Sequence, residues 1–294
     1  MGEAAVATVA SGGGGAHGAC GPPAPEASGV TPVAEAPGSP NPEPGSRNPD
    51  PSTREAGLSD RLAESASGGK RYRVRAMWRT LQGEGFWAGR PAVFVRLVGC
   101  NMWSGYEADR ERDARRNGAS CPLWCDTEFT KEGSVRLGAD DLARAVQETG
   151  EGVRFVVLTG GEPLLQADAT LIRALHARGL TVAVETNGTV PLARAFGAES
   201  DWPDWIVCSP KLPVERLRIE ACDELKLVVP DYRPEAYRPL AARVRTRSLA
   251  GPLLWVQPED GPRREAAARL AVDLALADPR WRVSVQGHKA LGVD

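Results

Sequence analysis

Short apolar segments, most of them followed by polar residues, recur along residues 71–294 and constrain the fold more than any other feature of the chain. Helical apolar spacing predicts helices over residues 139–148, 171–178 and 263–277. Because buried strands that alternate with helices are joined by crossover connections, the pattern predicts an α/β fold with a parallel sheet. The predicted strands are residues 72–78, 91–98, 154–158, 181–185, 205–208, 224–229, 253–257 and 282–286.

Residues 1–70 have a different composition from the rest of the chain. They contain 13 Gly and 10 Pro and no Phe, Trp, Tyr or Ile. Such a segment cannot bury enough apolar surface to offset the entropy that its chain would lose on folding. We therefore predict a disordered Gly/Pro/Ala-rich tail over residues 1–70, followed by one α/β domain over residues 71–294.

Composition and charge exclude several classes of protein. A net charge of −2 gives no general electrostatic case for binding nucleic acid. No apolar run reaches the length of a membrane span, and the N-terminus lacks the basic and apolar regions of a signal peptide. Six cysteines in 294 residues are too few for a disulfide scaffold. These features predict a cytoplasmic protein that binds neither nucleic acid nor membrane.

Polar residues cluster directly after four of the predicted strands. Parallel α/β sheets bind ligands at the carboxyl ends of their strands, so these clusters predict a single site at one edge of the sheet. The clusters are Gly160-Gly161-Glu162, Glu185-Thr186-Asn187, Ser209-Pro210-Lys211 and Gln257-Pro258-Glu259-Asp260.

Three cysteines in one loop region, Cys100, Cys121 and Cys125, indicate metal chemistry. Three thiolates with no histidine nearby suit a 4Fe–4S cluster whose fourth iron stays free for a small molecule. A structural zinc site would need a fourth ligand, which Cys208 or Cys222 could supply. Buried thiols or a disulfide are a further alternative. The cluster is favoured because Trp124-Cys125 and the Gly160-Gly161-Glu162-Pro163 segment occur together.

At these residues the chain resembles the radical S-adenosylmethionine (SAM) enzymes, whose usual pattern is Cys-x3-Cys-x2-Cys with an aromatic residue before the last cysteine. Two spacings depart from that pattern. Here 20 residues separate the first two cysteines, and three separate the second and third. A long insert is tolerable because the entropy cost of closing a loop rises slowly with its length.

Further segments indicate which family of radical SAM enzymes the chain resembles. They are Leu81-Gln82-Gly83-Glu84-Gly85, Arg96, Cys125-Asp126-Thr127, Glu185-Thr186-Asn187-Gly188 and the closing Gln286-Gly287-His288-Lys289. With the clusters above, they resemble the 7-carboxy-7-deazaguanine synthase family over residues 72–294. That resemblance implies a shortened, open (β/α) barrel, a homodimer, and a reaction that converts 6-carboxy-5,6,7,8-tetrahydropterin to 7-carboxy-7-deazaguanine and ammonia in 7-deazapurine and queuosine biosynthesis.

The resemblance also implies roles for individual residues. Cys100, Cys121 and Cys125 would hold the cluster, and Thr127 would bind Mg2+. No side chain would be catalytic, because the cluster and SAM carry the radical chemistry. An electron donor such as flavodoxin or ferredoxin would be needed. The implied SAM contacts are Trp124, Asp126, Gly161, Glu162, Glu185, Asn187, Ser209, Pro210, Lys211, Gln257, Pro258, Glu259 and Asp260. The implied substrate contacts are Leu81, Gln82, Gly83, Glu84, Arg96, Thr159, His288 and the chain-terminal carboxylate of Asp294.

Two alternative functions stay open at the level of sequence. A glycyl-radical-enzyme activase shares the short barrel and the glycine motif, but it would lack the pattern of Gln82, Glu84 and Arg96. A zinc-stabilised binding module would contain about one zinc and no sulfide, whereas the synthase would contain about four iron and four sulfide.

Deleting residues 1–70 should leave both the specific activity and the thermal unfolding midpoint unchanged, because a disordered tail makes no contacts that folding depends on. The measurement compares the truncated and full-length proteins side by side. A large fall in either quantity would assign the tail a folded role.

Overall fold

Nine strands form one sheet within the part of the chain that the structure describes. The structure is a computed structural model that describes residues 69–118, 125, 127–246 and 250–293. The strands are β1 (Tyr72–Leu81), β2 (Pro91–Leu97), β3 (Val135–Leu137), β4 (Phe155–Gly160), β5 (Thr181–Thr186), β6 (Trp205–Cys208), β7 (Glu224–Val229), β8 (Leu253–Pro258) and β9 (Trp281–Val283). The helices are α1 (Arg110–Asn117), α2 (Ala139–Gly150), α3 (Ala169–Ala177), α4 (Leu192–Phe196), α5 (Pro234–Arg243), α6 (Arg264–Ala277) and α7 (Gly287–Leu291).

The sheet is mixed and open. Its strand order is β3-β1-β2-β4-β5-β6-β7-β8-β9. Strands β2 and β4 to β9 are parallel, as the sequence pattern predicts, whereas β1 pairs antiparallel with both β2 and β3. The edge strands β3 and β9 do not pair with each other among these residues, so the predicted open α/β architecture is confirmed.

Alternation along the strands separates two faces of the sheet. Val156 and Leu158 of β4 belong to the large core that also contains helix residues such as Leu142 and Ile172. Phe155 and Val157 point to the other face, where they join a smaller apolar cluster. This second face carries the functional residues at the carboxyl ends of the strands, because side chains two apart on a strand share a face.

An aromatic group covers the apolar part of that second face. Trp87, in the loop between β1 and β2, packs edge-on against Trp205 with ring centroids 5.4 Å apart. Phe86 stacks on Trp205 at 5.3 Å, and the Arg90 guanidinium lies 4.4 Å from the Trp87 ring centroid. The loop therefore closes the apolar part of this face and leaves the polar part for ligands.

The structure differs from several sequence predictions. The last predicted strand, residues 282–286, is only the three-residue β9, and β1 extends beyond residue 78 to Leu81. Short or polar elements such as β3, α1 and α5 were not predicted, because their apolar patterns are too brief to detect. Lys70, at the end of the predicted tail, forms an ion pair with Asp168 at 2.8 Å. Residues 1–68 lie outside the described residues, so the domain boundary stays a prediction.

No helix in the described ranges combines the length and the apolar character needed to cross a membrane.

The end of β4 approaches the backbone that follows β2 very closely. Gly160 has φ +129°, and a Cβ atom there would overlap the carbonyl oxygen of Leu97. A Cβ on Gly161 would overlap the carbonyl oxygen of Gly99. The Glu162 amide completes this contact by donating a 2.9 Å hydrogen bond to the same Gly99 oxygen. Only residues without side chains allow the two backbones to come this close.

Gly160→Ala should destabilise the protein by about 1–3 kcal/mol, because a backbone clash and an unfavourable φ cannot be relieved by moving a flexible side chain. The measurement is the midpoint of anaerobic urea denaturation. Gly251→Ala is the matched control, since no atom lies within 4 Å of the added Cβ at that position. Equal stability of the two variants would contradict the close backbone contact.

Candidate functional site

Two neighbouring cavities lie at the carboxyl ends of the parallel strands. Their volumes are about 190 Å³ and about 150 Å³. Four residues from four segments, Glu84, Thr127, Thr159 and Glu185, line both cavities. The two cavities therefore adjoin, and two ligands bound in them would lie side by side. We call these four residues the shared wall.

The larger cavity carries the cysteine side of the site. Cys100 and Cys125 both line it, and both thiols are free and half-buried. The amide of Met102 donates to Cys100 Sγ at 3.4 Å, and burial raises the pKa of the Cys100 thiol to about 11. Two soft sulfur donors facing one cavity fit an iron–sulfur cluster. Cys121, Trp124 and Asp126 lie outside the described residues, so their roles stay predictions.

Gly160 and Gly161 line the larger cavity, whereas Glu162 turns away from it. The Glu162 carboxylate is buried and accepts hydrogen bonds from the amides of Leu164 and Asn187 and from the hydroxyl of Thr186, at 3.0, 2.7 and 2.8 Å. Burial raises the pKa of Glu162 to about 7, although these hydrogen bonds oppose the change. Glu162 therefore holds the framework behind the cavity, and its contact with SAM stays a prediction.

Asn187 connects β5 to the cysteine loop. Its Nδ2 donates to Asn101 Oδ1 at 3.0 Å, and Asn101 Nδ2 donates to Thr189 Oγ1 at 2.7 Å. This network holds the residue after Cys100 against the end of β5. Asn187 also lines the larger cavity, as do the predicted SAM contacts Glu185, Ser209, Lys211 and Gln257.

Lys226, whose ammonium group is buried, lines the larger cavity next to the wall that the two cavities share. Lys226 forms ion pairs with Glu84 and, at 3.6 Å, with Glu185. Glu84 also accepts hydrogen bonds from Nε2 of Gln257 and Nε2 of Gln286, at 3.0 and 2.9 Å. One cation between two carboxylates leaves a local excess of negative charge.

Both partners of this ion pair are charged at neutral pH. Burial disfavours the ionised form of Glu84, but the Lys226 ammonium and the Gln286 amide outweigh it and hold the pKa of Glu84 below its ordinary value. Burial also disfavours the ammonium, yet Glu185 and Glu84 raise the pKa of Lys226 well above its ordinary value. Glu84 is therefore available to the site as an acceptor of hydrogen bonds.

In the smaller cavity, the cation of Arg96 lies next to the aromatic side chains of Trp78 and Phe94. The Arg96 guanidinium lies 4.8 Å from the Trp78 ring centroid, and Trp78 stacks on Phe94 at 5.5 Å. Leu81, Gln82 and His288 also line this cavity. Gln82 donates to Glu185 at 3.2 Å, which fixes the carboxylate that the two cavities share.

Gly83 does not line either cavity but allows the C-terminal segment to approach. A Cβ at Gly83 would overlap the imidazole of His288, and the amide of Gly287 donates to the Gly83 carbonyl at 2.8 Å. Gly83 therefore places His288 in the smaller cavity. Asp294 lies outside the described residues, so contact between its carboxylate and the substrate stays a prediction.

Four further residues predicted as SAM contacts, Pro210, Pro258, Glu259 and Asp260, do not line either cavity. Glu259 is buried and pairs with Arg263, and Asp260 pairs with Lys289 of α7 at 2.6 Å. In this structure the Glu259 and Asp260 carboxylates hold the segments around β8 and the C-terminus, and their role towards SAM stays a prediction.

Sequence reasoning missed several residues of the site. Lys226 is the most informative, because a single lysine inside the apolar strand Glu224–Val229 is costly to bury unless it is paired. That signal was present in the sequence. Trp78 and Phe94 of the smaller cavity and Tyr232, which lines the larger one, give no comparable signal. Aromatic residues in or near strands are ordinary core residues.

Comparison with known proteins identifies relatives of the chain. The 7-carboxy-7-deazaguanine synthases of Bordetella pertussis and Nitratidesulfovibrio vulgaris are each 44% identical to the chain, and each match covers 76% of this chain and 99% of the relative. The Escherichia coli synthase is 29% identical with the same coverage. The crystal structure of QueE from Escherichia coli matches with a TM-score of 0.53 and 26% identity, over 74% of this chain and 95% of that one. No protein-family model matches the chain.

Lys226→Met should reduce the free energy of unfolding by about 3–5 kcal/mol at neutral pH, because Glu84 would keep a buried charge without its partner. The lowered pKa of Glu84 means that its carboxylate stabilises the wild type above the unfolded pKa of about 4.3, and that this stabilisation is lost as the pH falls from there through the lowered folded pKa. In the variant, the pKa of Glu84 should rise and the carboxylate should take up a proton as the pH falls. The loss should therefore be smaller at pH 5 than at pH 7.5.

Anaerobic urea denaturation at the two pH values measures both effects. Arg173→Met is the control, because Arg173 forms an exposed ion pair with Asp201 at 2.8 Å and its loss should cost less than about 1 kcal/mol. An equal loss of stability for Lys226→Met at both pH values would contradict the buried pair.

Proposed function

Because this chain belongs to the 7-carboxy-7-deazaguanine synthase family, we propose that its two cavities divide the reaction between the cofactors and the substrate. The chain is a radical SAM enzyme that converts 6-carboxy-5,6,7,8-tetrahydropterin to 7-carboxy-7-deazaguanine and ammonia in queuosine biosynthesis. The observation that carries the proposal is the wall of Glu84, Thr127, Thr159 and Glu185 that the two cavities share.

The larger cavity takes SAM beside the cysteines. Cys100, Cys121 and Cys125 would hold a 4Fe–4S cluster, which would supply the electron needed to cleave SAM. The backbone at Gly160 and Gly161 lets the methionine end of SAM approach closely. The side chains of Glu185, Asn187, Ser209, Lys211 and Gln257 surround the rest of the molecule, and their position on the cavity wall supports this role.

The smaller cavity takes the pterin. Arg96 binds the substrate carboxylate, for which a planar guanidinium is suited because it offers two parallel N–H donors. Trp78 and Phe94 offer apolar faces to the flat ring. Glu84 is kept ionised by Lys226 and accepts hydrogen bonds from N–H groups of the pterin. Gln82, Thr159 and His288 complete the cavity wall, and together these residues orient the substrate and exclude water.

Thr127 would bind Mg2+ beside the substrate. A hydroxyl is a hard oxygen donor of the kind that Mg2+ prefers, and Thr127 lines both cavities. A cation there would lie near the excess negative charge of Glu84 and Glu185. It would neutralise and orient the substrate without entering the radical chemistry.

Three broader features of the protein belong to the same proposal. A small one-electron donor protein such as flavodoxin or ferredoxin reduces the cluster, the enzyme is a homodimer, and it works in the cytoplasm. The resemblance to the family supports the first two. Buried free thiols at Cys208 and Cys222 support a reducing compartment.

Anaerobic metal and sulfide analysis of the purified protein tests the cluster assignment directly. We expect about four iron and four sulfide per chain, with iron–sulfur absorbance in the visible range. About one zinc without sulfide would instead identify the zinc-stabilised module. Formation of 7-carboxy-7-deazaguanine from the pterin then distinguishes the synthase from an activase, which would need a protein substrate.

Thr127→Ala should raise the Mg2+ concentration needed for half-maximal activity by about tenfold or more and lower turnover, because one oxygen ligand is lost. Thr127→Ser should restore much of the Mg2+ dependence. The measurement is a Mg2+ titration of product formation, with iron content confirming that the cluster is intact. Thr130→Ala is the matched control, since Thr130 is in the same loop and lines neither cavity. Wild-type Mg2+ dependence in Thr127→Ala would remove this residue from the metal site.

A further inference from the structure

The insert that separates the first two cysteines contains α1, and this helix is fastened to the cysteine loop. Asn117, at the end of α1, donates from Nδ2 to the carbonyl of Met102, which is two residues after Cys100. The amide of Ser104 donates to Asp113 Oδ2 at 2.8 Å. The helix therefore has a fixed position relative to the cysteines.

Arg110, the first residue of α1, is buried against the cysteine loop with 8% of its surface exposed. Its guanidinium lies 4.1 Å from the centroid of the Trp103 ring, and Trp103 lines the larger cavity. Its Nη2 donates to the carbonyl oxygen of Cys125 at 3.2 Å, and its Nε donates to Glu107 at 2.8 Å. Arg110 thus touches the main chain of a predicted cluster ligand directly.

The charge of this guanidinium is permanent and poorly screened. Arginine stays protonated in proteins, and burial strengthens its field at nearby groups. Glu107, its carboxylate partner, has a side chain that is 75% exposed, so water weakens the compensation that Glu107 provides. The Arg110 guanidinium therefore places a positive charge directly against the main chain of Cys125.

We propose that Arg110, a residue of the insert, raises the reduction potential of the cluster. It is a positioning residue, because it acts on the cluster through its charge and its contact with Cys125 without binding the cluster itself. The inference rests on the proposed binding of a 4Fe–4S cluster by Cys100, Cys121 and Cys125. The step concerned is the transfer of one electron from a low-potential donor to the oxidised cluster, with no bond broken and no proton moved. Because reduction adds one negative charge, a nearby buried cation stabilises the reduced form.

Replacement of Arg110 by a neutral residue tests this inference through the midpoint potential. In Arg110→Gln, we expect the equilibrium for one-electron reduction to shift about tenfold towards the oxidised cluster, which corresponds to a potential 59 mV more negative. Arg110→Lys keeps the charge and should restore most of the wild-type potential. An anaerobic redox titration of the cluster-loaded protein, followed by electron paramagnetic resonance, measures the potential independently of activity.

Two further variants keep the test decisive. Arg115→Gln is the matched control on the same helix, because the Arg115 side chain is 74% exposed and pairs with the exposed Glu111, so its potential should equal that of the wild type. Glu107→Gln removes the negative partner of Arg110 without touching the cysteine loop. It should shift the potential in the positive direction, by less than the shift in Arg110→Gln. If Arg110→Gln fails to bind iron, the direction of the shift in Glu107→Gln decides the inference.

The outcomes separate this inference from the proposed function. A wild-type protein without iron and sulfide would overturn the cluster assignment, and the role of Arg110 with it. A wild-type cluster whose potential is the same in Arg110→Gln, or moves in the negative direction in Glu107→Gln, would overturn the role of Arg110 alone. Loss of cluster content at an unchanged potential would show that Arg110 has only a structural role.

Discussion

The rest of the site depends on the ion pairs that the Lys226 ammonium forms with Glu84 and Glu185. This ammonium neutralises part of the charge of Glu84 and Glu185, which come from the loop after β1 and from β5. Through Glu84, the same group reaches Gln257 of β8 and Gln286 before α7. Without a buried cation, these carboxylates could not stay ionised so close together. Segments that are distant in sequence are therefore held around one charged centre.

Close backbone contact brings the cysteine side of the site to that centre. The Gly160–Gly161 segment lies against residues 97–99, directly before Cys100, and Glu162 fixes the same segment to Thr186 and Asn187. The cysteine loop, the glycine segment and the end of β5 thus form one unit. Steric fit positions the larger cavity, whereas charge positions the wall that it shares with the smaller one. Thr127 and Thr159 also belong to that shared wall.

Local sequence patterns predicted the parts of this arrangement that depend on neighbours along the chain. Apolar runs located the central strands, and polar residues after them located the edge of the sheet where the cavities lie. The orientation of β1 and the turning away of Glu162 depend on tertiary contacts, which no local pattern contains. The positions of the Glu259 and Asp260 carboxylates also depend on tertiary contacts, because they form ion pairs with Arg263 and Lys289. Arg110 could not be distinguished by sequence from the other arginines of a polar insert.

The central claim is that SAM and the pterin lie side by side where the two cavities adjoin. In radical SAM enzymes the 5′-deoxyadenosyl radical formed from SAM removes a hydrogen from the substrate. The hydrogen at C6 of the pterin should therefore pass directly to 5′-deoxyadenosine. The most direct measurement uses substrate that carries deuterium at C6, incubated anaerobically with SAM, Mg2+ and a one-electron reductant. We predict that mass spectrometry will find deuterium in the 5′-deoxyadenosine, formed together with 7-carboxy-7-deazaguanine. Formation of product with only unlabelled 5′-deoxyadenosine would contradict direct transfer between the two cavities.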